Sequence, residues 1–418
     1  MYNSVFSSFL FFLTVVCIAF VPWPIFFDLG NFFFVMQKTP FPTVNKAVPL
    51  GLFFFILGFF FLFCNSLLKP RSYSRLVSSQ VTILLFFLFV LALAWVKFIS
   101  QGSFVRAVQV TIPILLLGFL AYPTSFKKQK ILIYVAVFSS LIFFILHLIS
   151  IFAKGIPISE ITEYESGLFF SYGVYQAFVS YSGVIGLYAF LYLVIFLIAK
   201  KRIKKIFFLA CYSFTMLLAF IIARKASLLE LFLYFSLGSL IFFKYLLVNN
   251  FRVTRNVAQT ILLLILPVAF FCKLLPNTPI FSRISRSVQQ DKFDEGRLDI
   301  YNKALKELFG DPINLLVGHG GKSGYHNYIL DMVYTMGLFP FVLAVWLMMI
   351  YVIIKPRVST EIFNNNNSLM LFAVMGYLGL FLVQTMVNAS ISQPYYLINF
   401  LMCALFITFI LKEVKKNG

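Results

Sequence analysis

Three histidines occur in the 418 residues of this chain, and two of them fall within one glycine-rich stretch, GHGGKSGYHN (318–327). An imidazole titrates near neutral pH, so it can take a proton from a hydroxyl without help from a metal. His326 is the candidate general base, because it stands where the polar stretch meets an apolar run, within reach of water and lipid headgroups. His319 reads as a loop residue, and His147, mid-way along an apolar segment, as a hydrogen-bonded core residue. The glycines at 318, 320, 321 and 324 allow tight turns and close approach of a ligand to the backbone. The stretch opens a helix, as anion-cradling loops do, but it lacks the Walker pattern.

Cations are the second resource. Arg224 and Lys225 sit in ARKA (223–226), a turn between two apolar runs that is too short to need them. Arg297 begins RLDIYNKALKELFGDP (297–312), where Leu298, Tyr301, Leu305 and Leu308 recur at helical spacing. A cation at a helix N-terminus opposes the helix dipole, which favours a site that an anion completes. A guanidinium is shaped to hold an oxyanion through two parallel hydrogen bonds. The plainer reading of Arg224 and Lys225 is snorkelling to lipid phosphate. The amphipathic 297–312 segment is expected to lie along the membrane surface or against the helical bundle, with Gly310, Asp311 and Pro312 ending it. Asn327 and Asp331 share a helix face, whereas Asp331 stands about 140° around from His326 and does not orient it by stacking. No loop carries a metal-ligand constellation; DKFDE (291–295) reads as solvated loop.

The elements that hold these groups are membrane spans. The chain is 61% hydrophobic and 11% charged, with a mean hydropathy of +0.94, a balance that soluble domains do not reach. Apolar windows long enough to cross a bilayer recur at 5–22, 47–67, 78–98, 104–121, 131–153, 180–199, 206–222, 227–247, 257–275, 326–354, 369–388 and 394–411, which is about twelve spans. The expected fold class is an all-α polytopic membrane protein. Its expected divisions are 1–275 with nine transmembrane helices, a long outer loop over 276–325, and 326–418 with three more helices and the C-terminus. KPRSYSR (69–75), SFKKQK (125–130), KKRIKK (200–205), FRVTR (251–255), KPR (355–357) and KEVKK (412–416) all fall on one face. Short loops on the other face hold only scattered cations, such as Lys38, Lys97 and Lys154. Both termini are therefore expected in the cytoplasm and the long loop outside. The net charge of +20 has this topological source, and nucleic acid is not an expected partner. The five cysteines are scattered singly through apolar segments and suggest neither a disulfide framework nor a metal site.

Taken in order, R-x3-Y-x2-AL (297–305), VGHG (317–320) and HN-x3-D-x5-G (326–337) resemble the O-antigen polymerase and O-antigen ligase superfamily. ARKASLLE (223–230) looks like that family's short turn after a mid-chain span, with Ala223 where serine is usual. The remainder of the chain agrees only in hydropathy and span number. The resemblance implies a GT-C-like membrane fold in the bacterial inner membrane and a metal-independent glycosyltransferase without a cofactor. The implied donor is an undecaprenyl-diphosphate-linked oligosaccharide at the periplasmic face. His326 matches the histidine that activates the acceptor hydroxyl, and Arg224 and Arg297 match the arginines that hold the diphosphate. Lys225, Tyr301, Tyr325 and Asn327 stand beside them as further substrate contacts. Membrane lipids and a chain-length regulator protein are the other implied partners. Polymerase and ligase share donor and chemistry and differ in acceptor. The Phe-, Asn- and Lys-rich composition favours the polymerase. A flippase would place more ionisable groups inside the bundle and would lack the long outer loop.

Overall fold

The computed structural model describes residues 2–23, 26–28, 47–49, 126–153, 175–199, 201–221 and 297–319, together with isolated positions within 54–64, 229–239, 273–285, 327–338, 376–383 and 399–403. Helix α1 (Tyr2–Ala19) is uncharged and apolar. Thr14, buried in its interior, donates its hydroxyl to the Leu10 carbonyl and so adds no unsatisfied polar group. The helix ends in tightened bonds from the Phe20, Val21 and Trp23 amides to the Cys17, Ile18 and Phe20 carbonyls.

Two three-residue strands follow, β1 (Phe26–Asp28) and β2 (Ala47–Pro49), paired antiparallel with Phe26 opposite Pro49 and Asp28 opposite Ala47. Apart from this short ladder the elements among the described residues are helical, as expected, and the ladder takes up the first residues of the span expected at 47–67. Helical positions resume at Phe54. Pro49 donates no backbone hydrogen bond, which suits it to the end of a ladder.

The helical core is built from α2 (Phe126–Ala153), α3 (Tyr175–Ile198) and α4 (Arg202–Ile221). Lys130–Ile149 within α2, and all of α4, are long and apolar enough to cross a membrane; Val5–Ala19 and Val184–Ile198 are shorter apolar helices. Helix α3 lies at the centre, with every residue from Val184 to Phe196 buried. A helix that is apolar all round can satisfy that burial. Helix α2 is two-faced. Leu132, Ile133, Ala136, Val137, Phe143 and Phe144 are buried, whereas Phe138, Ile142, Leu146, Ile149 and Phe152 are exposed. An exposed apolar face of that extent is unfavourable in water and suits contact with hydrocarbon.

Helix directions follow from the contacts. Lys128 stands 4.6 Å over the Phe11 ring, the Ser139 hydroxyl donates to the Ala19 carbonyl, and Trp23 packs on Phe143 with ring centroids 5.4 Å apart. Residue numbers rise together along this seam, so α1 and α2 are parallel. Against α3 the numbers run oppositely: Ser140 meets Tyr192 with hydroxyls 2.8 Å apart, and Phe144 meets Tyr188 edge-on. A short connection reverses the chain from α3 into α4, where Lys201, Arg202 and Lys204 are exposed.

The buried hydroxyls of Ser140, Tyr188 and Tyr192 are satisfied. Ser140 and Tyr192 both donate to the Val137 carbonyl, at 2.7 and 3.1 Å. Tyr188 donates to the side-chain oxygen of Asn399 at 2.9 Å, and the Asn399 amide donates to the Val21 carbonyl at 3.3 Å. One buried asparagine near the C-terminus thus ties α3 to the end of α1. Glycine permits a second close approach. A Cβ at Gly376 would lie 2.6 Å from Phe190, and one at Gly379 would lie 2.6 Å from Leu233. Small residues are what let helical backbones draw this near.

Helical positions also occur within the spans expected at 227–247, 369–388 and 394–411. The spans expected at 78–98 and 104–121 lie outside the described residues, as does nearly all of 257–275.

Candidate functional site

The amphipathic segment folds as α5 (Arg297–Gly310), close to its expected limits. Ala304 and Leu308, one turn apart on one face, are buried against Leu330 and Val333, with Tyr301, Leu315 and Tyr334 packed around them. Of the two placements open from the sequence, the structure shows packing against protein on this face. Gly310 ends α5, but Asp311 and Pro312 at once begin another helix, α6 (Pro312–Val317). The Asp311 carboxylate accepts from the Ile313 amide at 2.9 Å and from the Asn314 side chain at 2.8 Å. Proline at the first helical position lacks only an N–H that would have had no helical partner. Gly318 closes α6 at a φ of 74°, its amide donating to the Asn314 carbonyl at 2.7 Å. That backbone region favours glycine.

The chain then reaches His319, which sequence reasoning treated as a plain loop residue. Its ring stacks on Tyr334, with centroids 4.8 Å apart and planes 19° from parallel. Its amide donates to the Tyr334 carbonyl at 2.6 Å. The Tyr334 hydroxyl in turn donates to Glu307 of α5 at 2.9 Å. Tyr334 is therefore held from two sides, by Glu307 of α5 and by His319, two residues past the end of α6. No short-range sequence pattern marks this trio, because its members are far apart in the chain. The helical position of Glu307, one residue before Leu308 on the packed face, is the nearest thing to a signal.

Asn327 lies at the other end of the glycine-rich stretch. Its side-chain oxygen accepts from the Leu330 amide at 3.1 Å, three residues on, which is N-cap geometry. The helical run carrying Leu330, Val333 and Tyr334 stops at Gly337, where φ is 86° and the amide donates to the Val333 carbonyl at 2.8 Å. The expected span 326–354 is thus not one continuous helix. A left-handed residue cannot continue a right-handed helix, so the helical positions Leu330, Val333 and Tyr334 that pack on α5 are separated from the helical position at Leu338. The sequence hid this break because the residues on both sides of Gly337 are apolar.

The predicted site residues are distributed as follows. Arg297 is the first residue of α5. Tyr301 is half-buried against the Ala304–Leu308 cluster, and Asn327 caps the helix before Leu330. Arg224, Lys225, Tyr325 and His326 lie outside the described residues. The anchors His319 and Asn327 bound the stretch 320–326, so position 326 is one residue from a capped helix start. Glu230, six residues after Arg224, is fully buried. Among the described residues no group of three or more His, Cys, Asp and Glu side chains stands close enough to hold a metal ion. In comparisons with known proteins, no family model and no curated protein matches this chain.

Proposed function

We propose that this chain is a glycosyltransferase of the O-antigen polymerase type. It joins undecaprenyl-diphosphate-linked oligosaccharide repeat units at the periplasmic face of a bacterial inner membrane, which it crosses many times through a GT-C-like bundle with both termini in the cytoplasm. The observation that carries the reading is the pair of anchors around the glycine-rich stretch. His319 is tied to Tyr334, and Asn327 caps the helix that also carries Tyr334. A catalytic base within a glycine-rich stretch is effective only if the ends of that stretch are held, because misplacement by about 1 Å costs about a hundredfold in rate. The ordered motifs R-x3-Y-x2-AL, VGHG and HN-x3-D-x5-G, together with the apolar helices, support the same reading.

In this mechanism His326 accepts the proton of the acceptor sugar's hydroxyl. The oxygen attacks the anomeric carbon of the donor, the carbon–oxygen bond to the diphosphate breaks, and the electron pair leaves on undecaprenyl diphosphate. Arg224 and Arg297 meet the negative charge that grows on the leaving group, an interaction strengthened in the transition state. No metal is needed when two guanidiniums do this work. The acceptor proposed is a second lipid-linked repeat unit.

The test is His326→Ala, expressed and inserted at the wild-type level in a host lacking its own polymerase. Long glycan ladders are expected to vanish while single repeat units still reach the cell surface. Ladders of normal length would refute His326 as the base. Expression of the wild-type chain in a host lacking its ligase is expected to restore nothing; restored long chains there would reassign the acceptor to the lipid A core.

A further inference from the structure

Helix α5 has more apolar surface than the protein covers. Ala304 and Leu308 are buried, yet Leu305 and Phe309, each one position further on, are exposed, Phe309 by 68%. On α6 the exposure continues at Ile313, 70%, and Leu316, 56%. Leu305 and Phe309 are one turn apart and align along the helix. Leu298, seven residues before Leu305 and so on the same flank, is exposed as well, while Asp299, Asn302, Lys303, Lys306 and Glu307, with Ile300 among them, line the remaining arc of α5. The apolar arc therefore has two parts, one facing the 330–334 helix and a flank facing away from it.

We infer that this flank, formed by Leu305, Phe309, Ile313 and Leu316, is seated in the outer leaflet of the bilayer, so that α5 and α6 float as a raft at the headgroup boundary. The course of the chain points to that occupant. The helix on which α5 packs ends at Gly337, and the next residues, 338–354, form an uncharged apolar run. Leu338 follows Tyr334, which Glu307 contacts, by four positions, a span of chain that reaches at most about 14 Å. Helix α5 is thereby tethered beside the point where the chain enters that run. An apolar flank at that height meets acyl chains and headgroups, whereas Lys303 on the opposite side meets water. The exposed side chains of α2, Ile142 and Ile149 among them, form the same kind of surface deeper in the layer. This inference rests on the membrane placement proposed above but not on the glycosyl transfer.

The experiment is site-directed spin labelling of the full-length protein in lipid nanodiscs. Nitroxides are placed singly at Phe309→Cys, Ile313→Cys, Lys303→Cys and Ile142→Cys, with the native cysteines replaced by serine or alanine. At 309 and 313, collision with oxygen is expected to exceed collision with a water-soluble nickel chelate severalfold, and at 303 the order is expected to reverse. Nickel-dominated collision at 309 and 313 would overturn the inference. Protection from both reagents there would also overturn it, because protein rather than lipid would then cover the flank. Label 142 separates the two claims: water accessibility there defeats the membrane placement itself, whereas lipid accessibility there with water at 309 defeats only the raft. In the otherwise native chain, bromolipid quenching of Phe309→Trp against Lys303→Trp reads the same depth. Stronger quenching at 309 is expected, and equal quenching would refute the seat.

Discussion

Removing the Tyr334 hydroxyl isolates one tie without disturbing the rest. In Tyr334→Phe the ring still stacks on His319, and the backbone carbonyl still accepts from the His319 amide. Only the 2.9 Å bond to Glu307 is lost. A hydrogen bond to a charged acceptor contributes about 1.5–3 kcal/mol. Both partners are partly exposed, so water can replace part of that bond, and about 1 kcal/mol is the reasonable loss. If the stretch 320–326 must be held at both ends for turnover, this loosening lowers the rate about fivefold, since about 1.4 kcal/mol corresponds to a tenfold change. The assay is elongation of purified lipid-linked repeat units by detergent-solubilised protein, with kcat and KM determined separately. The reduction is expected in kcat, because the bond does not reach the donor's lipid. Glu307→Gln is expected to lose a similar amount, and Tyr334→Phe with Glu307→Gln no more than the larger single loss. Full additivity in the double mutant would show that the two residues act independently and would refute the clamp.

Arg297→Lys is expected to be nearly as harmful as Arg297→Ala, with a loss near 3–4 kcal/mol in transition-state stabilisation; full activity in Arg297→Lys, measured by elongation rate, would reduce the residue to a generic cation. Asn399→Leu strands the Tyr188 hydroxyl and the Val21 carbonyl, at about 1–3 kcal/mol for each, so the thermal midpoint of the solubilised protein is expected to fall well below that of Tyr188→Phe. Gly376→Val forces a side chain onto Phe190, which is itself buried and stacked on Tyr234 at 5.3 Å. Overpacking of this kind costs about 1–3 kcal/mol, and a loss of folded protein in size-exclusion chromatography is expected, whereas Gly310→Ala, with open space around it, is expected to behave as wild type.

The parts legible in the sequence were those set by local patterning. The apolar runs placed α1, α2, α3 and α4 to within a few residues, because a run of that length has little choice but helix in a nonpolar setting. The 3.6-residue periodicity of 297–310 likewise gave α5, but its packed face only in part: Tyr301 and Leu308 pack inward together with Ala304, whereas Leu298 and Leu305 are exposed. What was not legible depends on partners remote in the chain. The β1–β2 ladder pairs residues some twenty positions apart through only three residues each, too short to alternate visibly. The break at Gly337 lies between apolar neighbours and interrupts no hydropathy signal. His319 looked ordinary because its role comes from Tyr334 and Glu307. The helix α6 was different: an aspartate followed by proline is a helix-start signal, and reading it only as the stop of α5 missed half its meaning.

The parallel seam between α1 and α2 also constrains the part of the chain that joins them. Under the membrane placement proposed above, a chain that leaves α1 at one surface and enters α2 from the opposite one would cross back an odd number of times in between, so one passage or three is expected from the sequence between them, but not two or four. The three windows at 47–67, 78–98 and 104–121 satisfy that parity. The same count applied to the antiparallel pair α2 and α3 requires an even number of passages through residues 154–174. The charges of that stretch, Lys154, Glu160, Glu163 and Glu165, agree with an expectation of zero under the same placement.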